Sequence, residues 1–343
     1  MIDFRYHIVS LISVFLALAV GIALGAGPLK ETIGDTLTGQ VEALRAEKDG
    51  LRTELETSQA RLANSSSWIG AAGPQLVDGT LEGRRVAVVQ LGEINPERAA
   101  AIDSALTDAG ATLTAHATVT DVWTDEELRS MRRALAGTFV QYLNPAPADD
   151  AQDETILAQA LAQGLTGASP TSPDTLSESA STLLDLLDEG DQALIAVTEP
   201  VVTAADAVVV VSPYDEAAAA TGTPGGEEQE TTTSAQLAIL EAAHERSEGA
   251  VLADAPRDAA TLTDAVLADP ELADRLTTVT GTDQAPGQIS VALALNARIG
   301  GTTDHYGFGE EQTVLPQPVV LAPVDRTPTS VAPTDPNAAG NGG

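Results

Sequence analysis

From Ile8 to Gly27 the chain carries no charged side chain, and its only hydroxyl groups are those of Ser10 and Ser13. About 20 apolar residues are what an α-helix needs to cross a hydrocarbon core of ~30 Å, so residues 1–27 predict a membrane-spanning helix. The run exceeds the usual apolar core of a secretory signal, and Ala23, Gly25, Ala26 and Gly27 offer only an ambiguous cleavage site. It is therefore expected to stay in place as an anchor, with a cleaved signal as the alternative. Arg5 and the amino terminus precede the run, while Lys30 behind it is offset by Glu31, a pattern that puts the bulk of the chain outside the cytoplasm. Along one helical face Ser10, Ser13, Ala17, Gly21 and Gly25 recur at three- and four-residue steps. The Gly21 to Gly25 spacing lets two helix backbones approach closely, although small residues are common throughout this alanine-rich chain.

Gly27-Pro28 breaks the pattern. Beyond it, Leu37, Val41, Leu44, Lys48, Leu51, Leu55, Ser58 and Leu62 alternate in steps of four and three among charged residues. That is a heptad seam, with Lys48 at an a position and Ser58 at a d position, and it predicts a coiled-coil stalk over residues 28–66 that favours a parallel homo-oligomer. An amphipathic helix packed on its own domain is the competing reading. The cluster Asn64-Ser65-Ser66-Ser67 is expected to end the helix.

From Arg84 the texture changes to aliphatic runs of strand length between helical segments, which predicts a Rossmann-like, mostly parallel α/β domain over residues 83–315. Arg85–Leu91, Ala111–Thr118, Ala193–Thr198, Ala207–Val211, Ala250–Ala253 and Leu276–Val279 read as strands. The valine run at 207–211 needs cover on both faces and so reads as central. Pro96–Ala109 reads as a helix capped by Asn95, and Ile289–Ile299 as the closing helix. Helices at Thr124–Leu135, Asp153–Gln163 and Ser177–Leu187 form a helical insertion over about 124–190. An acidic stretch rich in Ala, Gly and Thr, about 214–233, is expected to be a mobile loop before a helix at Ser234–Ser247. Residues 316–343, dense in Pro, Thr, Asn and Gly, are expected to be a disordered tail.

Composition narrows the function. With 50 acidic against 17 basic residues, the formal charge is −33. Such a chain repels a phosphate backbone, so no nucleic-acid partner is expected. The acidity serves solubility and attracts cations only diffusely. There is no cysteine, which excludes disulfides, thiolate metal sites and a Cys nucleophile. Aromatic residues make up only 3% of the chain, so its core must pack from Ala, Val and Leu. In an open parallel sheet, ligands bind beyond the carboxyl ends of the strands, here Gly92, Ser212, Asp254 and Asp283. The turn after the first strand lacks a dinucleotide fingerprint, and there is no phosphate-loop, nucleophile-elbow or zinc-protease motif. The histidines, His7, His116, His244 and His305, are scattered. No enzyme activity is expected; an extracytoplasmic enzyme or binding module would need Asp254 and Asp283 in one pocket.

The opening MIDFRYHIVSLISVFLALAVGIALGAG resembles the amino terminus of the actinobacterial copper transporter family of the MctB type. GRRVAVV (Gly83–Val89), GAVLADAP (Gly249–Pro256) and DHYG (Asp304–Gly307) resemble it too. The resemblance implies copper efflux or copper homeostasis at the cell envelope, with copper as a transported ion. No tightly bound cofactor is expected, because Cu(I) favours thiolate or thioether ligands, and this chain offers only Met1 and Met131. The best local metal candidates are His305 and Asp304 in the glycine-rich turn Gly300–Gly309, which reads first as a tight structural turn fixing the closing helix. One helix per subunit cannot enclose water, so any channel must be built from several copies. The alternative is a non-catalytic envelope scaffold, oligomerised by its anchor and stalk, whose α/β domain docks an envelope protein partner.

Overall fold

The computed structural model describes residues 4–26, 28–214, 227–255 and 261–328. The chain divides into two units, Met1–Ser65 and Ser66–Gly343. The first unit holds helix α1 (Phe4–Ala26) and most of α2 (Pro28–Val77). At ~1.5 Å per residue, the 23 residues of α1 extend about 35 Å, enough to span a hydrocarbon core. Its apolar side chains are exposed throughout. Pro28 opens α2, where its missing N–H removes no helical bond.

Helix α2 does not stop at Asn64-Ser65-Ser66-Ser67 but runs on to Val77, through Pro74. Asn and Ser each cost only a fraction of a kcal/mol in a helix. That cost is outweighed by the burial of the last turns. Val77 is buried and Ile69 packs beside it in the core of the second unit. Gly73 comes so close to Ile289 that a Cβ there would lie 2.6 Å from its Cδ1.

The second unit is an αβα sandwich. Its strands are β1 (Arg85–Gln90), β2 (Thr112–Val119), β5 (Ile195–Val197), β6 (Ala207–Val211), β7 (Ala250–Ala253), β8 (Thr277–Val279) and β9 (His305–Tyr306). They form one sheet in the order β5-β2-β1-β6-β7-β8-β9. All neighbours pair in parallel except the edge strand β5, which runs antiparallel to β2. Every side chain of β6 is buried, as a strand covered on both faces requires. The pleat splits the aliphatic residues between two cores. Val86, Val88, Val209 and Val251 face α3 (Pro96–Asp108) and α10 (Ala285–Ile299). Ala87, Val89, Val208 and Leu252 face the other core. That core is filled by α4 (Arg129–Phe139), α5 (Asp153–Thr166), α6 (Glu178–Leu187) and α7 (Glu227–Glu245), with Leu157, Leu161, Leu183 and Leu240 among its fully buried side chains. Two short helices, α8 (Leu262–Ala268) and α9 (Pro270–Arg275), lead into β8.

The helices of the insertion are present, but the first, expected at Thr124–Leu135, follows a short 3-10 turn at Glu126–Leu128 and runs from Arg129 to Phe139; a small hairpin, β3 (Ala168–Ser169) and β4 (Ser172–Leu176), lies between α5 and α6. Of the expected mobile loop at 214–233, residues 215–226 lie outside the described residues, whereas residues from Glu227 are already helical as the start of α7. Leu276–Val279 is not the last strand, because β9 adds a seventh from within the glycine-rich turn.

The tail expected to be disordered from residue 316 is instead tied to the fold as far as Arg326. Asn296 clamps the backbone of Val319, donating from Nδ2 to its carbonyl at 3.0 Å and accepting its N–H at 2.7 Å. Arg84 donates to the carbonyl of Ala322, and Arg326 bonds Asp206 and the carbonyl of Gly83. Residues 329–343 lie outside the described residues.

Candidate functional site

The sheet reverses direction of growth between β1 and β6, since β2 was added on one side of β1 and β6 to β8 on the other. Such a switch point, at the carboxyl ends of the strands, is where an open α/β sheet offers a crevice. Here the chain fills that place itself. Helix α3 starts just beyond β1 under an Asn95 cap, and its first turn carries Arg98. Arg98 is 6% exposed. Its guanidinium donates to the carbonyl of Ser212 at 2.7 Å, to that of Ala253 at 3.1 Å, and to Thr282 Oγ1 at 2.7 and 3.0 Å. These groups lie at the ends of β6, β7 and β8, so one cation joins three strand ends.

Asp254 lies beneath this knot at 1% exposure. It accepts from the Ser212 hydroxyl, from the N–H of Ala255 at 2.8 Å, and from the N–H of Thr263, near the start of α8, at 2.7 Å. Thr282 Oγ1 donates to the carbonyl of Asp254 at 2.6 Å, closing the network. Burial pushes the Arg98 pKa down, and the charges of Asp254 and Asp283 push it back up. Desolvation is the larger effect, so the pKa stays below its ordinary value, and the two carboxylates offset it in part.

Of the strand-end residues named from the sequence, Ser212 and Asp254 meet directly. Gly92 contributes backbone only. Its φ of +143° is one that side chains rarely adopt, and a Cβ there would sit 3.6 Å from Pro213. Asp283 stays exposed at the rim, bonded to Gln284 Nε2 at 2.9 Å, and reaches Arg98 only through its field. Arg98 itself was missed. Its signal was available: Arg98, Ile102, Ala105 and Leu106 recur at helical spacing, and all four are buried. A cation on an apolar stripe marks a buried polar contact.

His305 and Asp304 are engaged within the fold. His305 Nε2 lies 3.1 Å from the carbonyl of Ala273 and must donate to it, which leaves Nδ1 to accept from the Thr278 hydroxyl at 3.0 Å. Asp304 accepts from the N–H of His305 and from the Thr313 hydroxyl. His244 is also committed: Arg298 lies 3.2 Å from its Nδ1, and burial first, then the charges of Arg298 and Arg275, push its pKa down. His116 differs. Its Nε2 lies 3.0 Å from Asp103, and that hydrogen bond raises its pKa against the opposing effect of burial. Met131 lines an open groove of about 600 Å³ with Leu135, Leu186, Glu189 and Asp191.

The remaining candidates are in the first unit. Ser13 Oγ is turned inward onto the carbonyls of Val9 and Ser10, and a Cβ added at Gly21 or Gly25 would meet only open space. Along α2 the seam residues Leu37, Val41, Leu44, Leu51, Leu55 and Leu62 are between 41% and 65% exposed, and Lys48 is exposed beside them.

Residues 1–316 match the model of a family described as copper transport outer membrane protein, MctB. A protein of Mycobacterium tuberculosis named copper transporter MctB is 28% identical over 319 residues, covering 90% of this chain and 97% of its own length. Its Mycobacterium leprae namesake is 26% identical over 341 residues, covering 93% and 100%. A match that begins at the first residue and runs through the apolar helix, the seam and the whole sheet places this chain in the MctB family of copper transport outer membrane proteins.

Proposed function

We propose that this chain is a membrane-anchored envelope protein that takes part in copper efflux and copper homeostasis, working as a homo-oligomer with its acidic α/β unit outside the cytoplasm. The observation that supports this most is the extent of the family match, residues 1–316, which includes the apolar helix as well as the α/β unit. Copper is cargo in this reading. Cu(I) prefers soft sulfur ligands and Cu(II) prefers imidazole, while His244 and His305 are held by neighbouring groups of the fold. Transit then rests on weak contacts, on sites shared between copies, and on the attraction of a chain with 50 acidic residues against 17 basic. The α/β unit is non-catalytic in this reading, its strand-end position being filled by Arg98.

Copper content and tolerance in a deletion strain carrying the intact chain, no chain, or a chain lacking residues 1–27 test this reading. Raised copper content without the chain, unrelieved by the truncated form, is the expected result. A deletion strain equal to its parent in both measures rules copper out. That the Arg98 knot is satisfied while the α2 seam is uncovered also favours a second reading, an envelope scaffold that docks a partner protein; it predicts unchanged copper and altered envelope composition.

A further inference from the structure

We propose that residues 37–62 of α2 pair with the same segment of a second copy as a parallel, in-register, two-stranded coiled coil. This deepens the oligomer reading above and rests on it. The seam supplies the apolar surface. Leu37, Leu44, Leu51 and Ser58 take d positions, and Val41, Lys48, Leu55 and Leu62 take a positions. Each of the six leucine and valine side chains before and after Lys48 is exposed along one face of a continuous helix.

The flanking charges choose the occupant and its direction. The g positions are Gln40, Glu47, Glu54 and Arg61, and the e positions are Thr38, Arg45, Arg52 and Gln59. In a parallel pair each g residue meets the e residue five positions on in its partner. Glu47 then faces Arg52 of the second copy, Gln40 faces Arg45, and Glu54 faces Gln59, with no like charges opposed. In an antiparallel pair g meets g and e meets e, which sets Glu47 against Glu54 and Arg45 against Arg52. Arg52 is free to make the exchange, because its present ion pair with Glu56 is an exposed one within the helix, 73% and 62% exposed.

The seam also selects the number of strands. Leucine at d with a β-branched residue at a, here Val41, favours two strands, and a lone Lys at a fixes register at some cost in stability. In a pair the Lys48 stem lies along the seam while its ammonium reaches water. More strands around the axis would enclose it. Two anchors inserted in the same sense also start their stalks from the same side, as a parallel pair needs.

The absence of native cysteine makes the test direct. Full-length V41C and L62C variants, lying near opposite ends of the seam, are oxidised in membranes. Each alone is expected to give a disulfide-linked dimer, while T53C, at an outward f position, is expected to give several-fold less. Native mass measurement of the detergent-extracted protein should find two copies. The charge-reversed pairs E47R/E54R and R45E/R52E should each lose the dimer, and co-expression of the two should restore it as a mixed species. Crosslinking only between co-expressed V41C and S58C, which face each other in the register that sets Glu47 against Glu54, would show an antiparallel pair and overturn the proposal, as would a mass of three or more copies or dimers indifferent to charge reversal. Copper content measured in the same cells separates the two readings. Dimers without any copper phenotype defeat the copper reading alone, and a copper phenotype with no crosslink defeats the coil alone.

Discussion

The carboxyl-end knot around Arg98 and the seam of α2 handle their surfaces in opposite ways. In the knot, a cation, a carboxylate, two hydroxyls and three carbonyls are removed from water, and they satisfy one another within the chain. Along the seam, six large aliphatic side chains stay in water while the charges beside them are spaced to match those of another copy. The first region resembles a binding crevice in its location but is complete as it stands. The second is one face of a helix, and its energy is realised only when another helix covers it. In this molecule, position in the fold is a poorer guide to function than whether local groups are already satisfied.

Breaking the knot should have the largest effect. Arg98→Met keeps the length of the side chain but removes its charge and donors, leaving Asp254 without its offsetting cation and two buried carbonyls without their donor. We expect a loss of about 3–5 kcal/mol in denaturant unfolding of the full chain, the range for removing one member of a buried charged network. Wild-type stability in this variant would show the knot to be incidental. Gly287→Ala attacks the same region through the backbone, because a Cβ there collides with the carbonyl of Gly281 and crowds the N–H of Thr282. The turn that presents Thr282 to Arg98 must shift, at about 1–3 kcal/mol. A crystal structure of the variant with Thr282 unmoved would contradict this account.

The seam is sharpened by the reverse kind of change. Gly50 sits inside α2, and a Cβ there meets nothing within 4 Å. Gly50→Ala should therefore gain about 1 kcal/mol of helix stability per copy. Thermal dissociation of the dimer should move upward, and an unchanged midpoint would mean that α2 does not melt with the coil.

The smallest effect is one of pH. The Asp103 hydrogen bond raises the His116 pKa above its ordinary value near 6.5. The group's contribution to stability is thus fully present below about pH 6.5 and is lost as pH rises through the raised folded value. Both side chains are about one-third exposed, 33% and 30%, so solvent screening holds the contribution to under ~1 kcal/mol. Asp103→Asn should flatten this part of the stability–pH curve, and a slope that survives would assign it elsewhere.

Much of the framework was legible from the chain alone, because valine-rich runs such as Ala207–Val211 need two-sided cover and Asn95-Pro96 is a strong helix start. What could not be read depended on partners far away in sequence. Ser65 to Ser67 look like a stop until Ile69, Gly73 and Val77 find Ile289 and its neighbours. The strand at His305–Tyr306 is two residues long and has meaning only beside Thr278 and Val279. At the strand ends, Ser212 and Asp254 were recognisable from their place after β6 and β7. Arg98 was not named, although its position on the apolar stripe of α3 announced it.

The clamp of Asn296 on Val319 fixes where the described chain leaves the sandwich. Arg84, Gly83 and Asp206, which hold the segment after it, lie just ahead of β1 and β6, at the amino-terminal ends of these central strands and opposite the Arg98 knot. A fluorophore attached through a cysteine placed at Thr327 would therefore report from the rear of the sheet. It would leave the strand tips around Arg98 chemically untouched.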